Sequence, residues 1–154
     1  MCIRDRTTPT SYLARHPTLQ MVEPTPSSWG NKGYSEVWLD HCNSWIYPHL
    51  HAAAGRMTEM ARKHLRTRSK TVGRVMAQMA RELLLAQSSD WAFLMKTGTA
   101  KEYAERRTKD HVLRFTRLYE ALRDDAKKET LLPLLAACEK RDNLFPNLNW
   151  QYYA

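Results

Sequence analysis

The stretch Val72-Gly73-Arg74-Val75-Met76-Ala77-Gln78-Met79-Ala80-Arg81-Glu82-Leu83-Leu84 decides the fold class. Val72, Val75, Met76, Met79, Ala80, Leu83 and Leu84 recur at spacings of three and four, the period of a helix that buries one face. The methionines in that stripe read as adaptable core filler. Upstream, Ile46, Leu50, Ala53, Met57, Met60, Ala61, His64 and Leu65 keep the same period. They predict one long helix from about Trp45 to Arg66, with Pro48 in its first turn. Downstream, Ser88-Ser89-Asp90-Trp91 interrupts the pattern, the short apolar piece Ala92-Phe93-Leu94-Met95 follows, and Gly98 resets the chain. Thr99 and Glu102 have the spacing of a capping box that opens a third helix. Its inner face runs through Ala100, Tyr103, Ala104, His111, Phe115, Leu118, Tyr119 and Leu122, which leaves Arg106, Arg107, Lys109 and Asp110 in water. A last helix is expected over about Thr130 to Lys140, with Pro133 in its first turn, followed by an extended aromatic tail.

The N-terminal part reads differently. Residues 1–6, Met-Cys-Ile-Arg-Asp-Arg, resemble a translated adaptor and are set aside as non-native, which implies that the native chain starts further upstream. Thr8 as cap and Pro9 at the first helical position predict a short helix through Arg15, closed before Pro17. Leu19-Gln20-Met21-Val22 is apolar enough for one strand, but no second strand exists to pair with it. The expected fold is therefore all-α, a bundle of about four helices carrying a helix-and-strand remnant of another domain. The segments are 1–6, the remnant 7–26, a tryptophan-bearing loop 27–43 and the helical domain 44–154.

Composition narrows the function. The chain has 154 residues, 43% of them hydrophobic and 26% charged, enough for one compact core. It has no long apolar run and no secretory h-region, so membrane insertion and export are set aside and a cytoplasmic protein is expected. Cys2, Cys42 and Cys138 are too scattered for a disulfide framework or a zinc site and read as reduced thiols. The net charge of +8 raises the question of nucleic acid, and Arg62, Lys63, Arg66, Arg68, Lys70 and Arg74 do cluster. No base-stacking aromatics are interleaved with them, so a solvated basic surface is the expectation. A basic helical module that binds nucleic acid or an acidic partner is the alternative.

Few residues suggest chemistry. His49 and His51 differ by roughly 200° around a helix and cannot share a metal ion. Cys42 beside His41 lacks the geometry of an activated thiolate. The acids lie mostly on wet helix faces, with Asp90 the exception, since it stands beside Trp91 in a helix break. It is either an N-cap or a ligand contact. Trp29 and Trp38 bracket Gly30-Asn31-Lys32-Gly33-Tyr34-Ser35-Glu36-Val37, a polar loop with no helix or strand period. The two rings either stack on a pyranose or plug the end of the bundle.

Five segments together carry a resemblance. They are Ser27-Ser28-Trp29-Gly30, Val37-Trp38-Leu39, Asn43 to His51, Ala80 to Phe93 with its Ala86-Gln87-Ser88-Ser89-Asp90-Trp91, and Arg141-Asp142-Asn143-Leu144-Phe145-Pro146. From about residue 8 onward the chain resembles the C-terminal region of the 1,4-α-glucan branching enzymes of glycoside hydrolase family 57. The resemblance implies a helical domain packed on an upstream incomplete (β/α) barrel, with residues 8–23 as that barrel's last helix and strand. It implies retaining transfer that makes α-1,6 branches in glycogen-like glucans, with the Glu and Asp of the reactive pair on the barrel, so that this chain alone is expected to be inactive. It further implies α-glucan as partner, Trp29, Trp38, Asp90 and Trp91 as substrate contacts, no catalytic residue within this chain, and no metal or cofactor.

Overall fold

The computed structural model describes residues 6–154. Of residues 1–6, read as non-native, 1–5 lie outside the described residues, and Cys2 with them. Six α-helices follow one another: α1 (Pro9–Arg15), α2 (Ile46–His64), α3 (Lys70–Ala86), α4 (Ser89–Thr97), α5 (Lys101–Arg123) and α6 (Lys128–Arg141), with 3₁₀ turns at Asn31–Gly33, Ser35–Val37 and Trp150–Tyr153. Helices α2 to α6 form the bundle. The most extensive contact is α3 on α5, and α4 and α2 also pack on α5.

The apolar stripes meet in two clusters. The larger one buries Met57, Met60, Met76, Met79, Leu83, Phe115, Leu118 and Leu135 completely, and Trp150 and Tyr153 of the tail pack against it. The smaller one gathers Ile46, Leu50, Ala86, Ala92, Met95 and Ala104, with Trp38, Trp45 and Trp91 against its edge. Local signals set several boundaries. The Thr8 hydroxyl accepts from the Ser11 amide and opens α1. Ser69 does the same for α3 at Val72, and Gly98 closes α4 at a positive φ of 73°.

The structure corrects several expectations. Leu19–Val22 is not a strand: among the described residues there is none, and Met21 and Val22 are exposed because a lone extended segment has no ladder to join. A strand remnant of a barrel is therefore not part of this fold. The apolar piece 92–95 is the middle of a full helix, α4, so the bundle has five helices. The Thr99–Glu102 box does not form, because α5 begins at Lys101 with Ala100 as its cap, one residue too late. The Thr99 hydroxyl instead meets that of Thr97 at 3.1 Å. Helix α6 begins at Lys128, which puts Pro133 in the second turn rather than the first. There the ring removes the hydrogen bond to the Glu129 carbonyl. Finally, Arg107 and Asp110 are not free in water but belong to a partly buried ion network.

That network joins α3, α5 and the segment after α6. Glu82, fully buried, accepts from the Gln78 amide at 2.8 Å and lies 2.7 Å from His111 Nδ1 and 3.5 Å from Arg114 Nη1. Arg114 also donates to Asp142 at 2.8 Å and to Asp110 at 3.2 Å, and Arg107 stands 3.6 Å from Asp142. Arg81 donates to the Leu144 carbonyl and, at 3.2 Å, to that of Phe145.

The register of α3 is testable at two adjacent leucines. Leu83 is fully buried and Leu84 is 39% exposed. Leu83→Ala is expected to cost about 2–5 kcal/mol in urea unfolding, and Leu84→Ala less than about 1 kcal/mol.

Candidate functional site

The tryptophan loop is built by its glycines and its tethers. A Cβ on Gly30 would lie 2.1 Å from the Tyr34 carbonyl oxygen, so only glycine fits, and Gly33 turns the chain at a φ of +79°. The Ser28 amide donates to the Gly33 carbonyl at 2.7 Å and its hydroxyl to the Tyr34 carbonyl at 2.8 Å, which closes the loop on itself. The loop is then tied to the bundle. Asn43, fully buried, donates to the carbonyls of Val37 at 2.9 Å and Ala92 at 3.1 Å, and the Tyr47 hydroxyl donates to the Trp38 carbonyl.

These tethers bring three rings together. Trp29 stacks on Trp38 at 6.2 Å between centroids, and Phe93 of α4 stands 6.1 Å from each. With Ser89 and Asp90 they line an open cleft of about 210 Å³. Trp29 is 80% exposed and does not plug the bundle, whereas Trp38 is half-buried against the smaller cluster.

Of the four residues singled out in the sequence, Trp29, Trp38 and Asp90 meet in this cleft and Trp91 does not. The Trp91 indole donates to the Leu85 carbonyl at 2.7 Å, meets Tyr103 edge-on at 6.0 Å and lies under the Arg107 guanidinium. Asp90 is the second residue of α4 rather than its cap, in a first turn that favours negative charge, and accepts from the Ser88 hydroxyl at 2.8 Å. Ser89 and Phe93 are the residues the sequence reading missed. Read as one helix, 89, 90 and 93 fall on one face and 91, 92 and 95 turn away, a signal hidden once 92–95 is read as an isolated piece.

The chemistry open to this site is limited. Asp90 is the only carboxylate among the described residues that line the cleft, and retaining glycosyl transfer needs two about 5 Å apart. Glu82, His111 and Asp142 are the one group of three metal-type ligands close together among the described residues. Arg114 lies within 3.5 Å of all three, so its guanidinium already supplies the cation. Neither described cysteine is an activated thiolate. Burial pushes the Cys138 thiol up to about 11, and burial together with Asp40 raises that of Cys42. The basic residues Arg62, Lys63, Arg66, Arg68 and Lys70 are exposed, and Arg62 and Lys63 occupy the last turn of α2, where the helix dipole favours cations. Arg74 is spent on a two-pronged pair with Glu139. Among the described residues no helix is long and apolar enough to cross a membrane.

One ion pair fixes the loop to α4. Lys96 Nζ lies 2.5 Å from Asp40, and that contact, together with the Cys42 amide, holds the Asp40 carboxyl well below the usual carboxylate range. A lowered folded-state pKa means the stabilisation is complete above the unfolded value of about 3.9 and is lost only as pH falls through the lowered one. Between about pH 5 and 8 the Asp40 carboxylate stays ionised opposite Lys96. Asp40→Asn is expected to speed amide exchange across Ser35–Asn43 at every pH in that window, with α5 unaffected. Equal exchange in the variant would show that the hydrogen bonds of Asn43 and Tyr47 suffice.

Comparison with known proteins fits this geometry to a family. The family model described as "1,4-alpha-glucan branching enzyme, C-terminal" matches residues 49–153. A curated 1,4-α-glucan branching enzyme of Thermococcus kodakarensis is 39% identical over 125 residues, which is 80% of this chain and 18% of that protein. The crystal structure of the GH57-type branching enzyme from Pyrococcus horikoshii superposes with a TM-score of 0.83 at 36% identity, over 96% of this chain and 28% of that one. The Thermococcus enzyme, solved in complex with glucose and additives, gives 0.84 at 35% identity, over 98% of this chain and 28% of that one. The α-amylase AmyC of Thermotoga maritima gives 0.70 at 40% identity, over 92% and 25%. The chain thus spans less than a third of the length of each of these relatives. The chain belongs to the family of 1,4-α-glucan branching enzyme C-terminal domains.

Proposed function

We propose that this domain serves α-1,4-glucan branching by supplying an aromatic wall to which a glucan chain binds while the transfer takes place elsewhere in the enzyme. The observation that carries the reading is Trp29. An indole that is four-fifths exposed, backed by Trp38 and Phe93 and held by a tethered loop, is a preformed flat surface rather than a packing residue. Asp90 and Ser89 at its edge supply acceptors and a donor for sugar hydroxyls. Trp91 acts from behind, fixing the start of α4 on which Asp90 stands.

The reaction assigned to this family's enzymes transfers a glucan segment to a 6-hydroxyl rather than to water. An aromatic wall favours that outcome by holding the acceptor close and excluding solvent. The reactive Glu and Asp belong to the upstream catalytic unit, so the isolated chain is inactive. The exposed apolar side chains of Tyr12, Leu13, Met21 and Val22 support a docking role for residues 7–26 against that unit. Free Cys42 and Cys138 suit a reducing, cytoplasmic setting.

In the full-length enzyme, Trp29→Ala is expected to weaken branching, read as kcat/KM on amylose, by on the order of 1–3 kcal/mol. Its unfolding free energy should change by less than about 0.5 kcal/mol, because the ring is exposed. Trp38→Ala should lower both, since its ring is half-buried. Unchanged branching in Trp29→Ala would refute the aromatic wall. Residues 7–26 are expected to be cleaved rapidly by protease in the isolated chain and slowly in the full-length enzyme. Equal rates would refute the docking role.

A further inference from the structure

A second opening lies between the start of α2 and the middle of α5. Trp45, Val112 and Leu113 form its apolar part, and His49, Lys109 and Thr116 bring hydrogen-bonding ends to it, around a cavity of about 350 Å³. The Trp45 ring meets His49 edge-on at 6.3 Å and has the Lys109 ammonium 5.3 Å from its centroid. Leu113 is 49% exposed, and Lys109 is held only loosely by Glu105 at 3.8 Å.

We propose that this pocket is a second binding site for the α-1,4-glucan chain, separate from the Trp29 cleft. The proposal rests on the glucan reading above and extends it to a different surface. The composition selects the occupant. Docking an apolar peptide or helix would strip water from the Lys109 ammonium and the His49 ring without offering them acceptors, which is costly. A glucosyl unit meets both demands, with C–H faces for the indole and leucine and hydroxyls for the lysine, histidine and threonine. Among the described residues no carboxylate lines the pocket, so a cationic ligand is not favoured. Trp38 and Trp45 pack against the same apolar cluster, and the Tyr47 hydroxyl ties the two segments together at the Trp38 carbonyl. The two openings therefore belong to the same half of the bundle. A polymer held at one raises its effective concentration at the other, which a single short sugar would not do.

The experiment is a titration of the ¹⁵N-labelled chain with maltoheptaose, following the indole N–H signals of its five tryptophans. The expected result is a saturable shift of the Trp45 signal that survives Trp29→Ala. In Thr116→Arg, which fills the pocket, the Trp45 shift is lost while those of Trp29 and Trp38 persist. Leu113→Arg provides an independent block should the first variant lose its dispersed spectrum. A stationary Trp45 signal beside moving Trp29 and Trp38 signals would overturn this inference and leave the aromatic wall intact. If no indole signal moves, both readings fall. A Trp45 shift that persists in both blocking variants places the sugar elsewhere and overturns the proposal.

Discussion

A fully buried carboxylate governs the arrangement of this domain. Glu82 sits on the inner face of α3, where an unpaired charge would cost several kcal/mol, so its partners must be in place whenever the core is closed. Those partners come from three parts of the chain: Gln78 on α3 itself, His111 and Arg114 on α5, and, through Arg114, Asp142 after α6. Hydrophobic contact between α3 and α5 would tolerate a range of offsets, because apolar packing is non-directional. Directed contacts to one carboxylate do not. Breaking one partner would be far more costly than the pairing is stabilising, since pairs of this kind roughly balance their own desolvation.

The same network reaches the end of the molecule that carries the tryptophan cleft. Arg107 pairs with Asp142 and lies over Trp91, and Trp91 bonds to the Leu85 carbonyl at the end of α3. The turn from α3 into α4 is thereby held from both sides. Asp90, Ser89 and Phe93 stand on the first turns of α4, so their positions in the cleft depend on contacts that do not touch the cleft. The Asn43 bonds to Val37 and Ala92 do the same for the tryptophan loop from the opposite wall.

Helices were legible in the sequence wherever burial repeats at helical spacing, as at Val75, Met79 and Leu83. Partnerships between distant residues were not. Arg107 lies among wet neighbours on α5, and nothing local reveals that Asp142 will reach it, whereas Asp110 and Arg114 stand four residues apart on one helix. Of the candidate site, the loop was readable because Gly30 and Gly33 have no other use, and Asp90 because it stood in a break. Phe93 was lost because an apolar residue beside Ala92 and Leu94 looks like core, and only its face on α4 separates it from them. The direction of Trp91 was illegible for the same reason. Val22 shows the opposite error, since an apolar run predicts a strand only where a neighbour exists to receive its hydrogen bonds.

The division of labour in the proposed function follows from what a helical domain of this kind can hold still. Retaining transfer asks for two carboxylates fixed about 5 Å apart, and here every buried acid is already committed to an arginine or a histidine. Moving one into the cleft would release the network that sets the helices. A planar ring makes no such demand, because its contact with a sugar is broad and tolerates small displacements. An exposed Trp29 costs the fold little, and its two neighbouring rings limit how far it can turn. Binding energy gained there is remote from the reacting atoms, and it aids transfer only to the extent that it orients the acceptor or keeps water away from the intermediate. A domain that contributes position and dryness but no proton can therefore be separate from the one that does the chemistry, provided the surface between them is complementary.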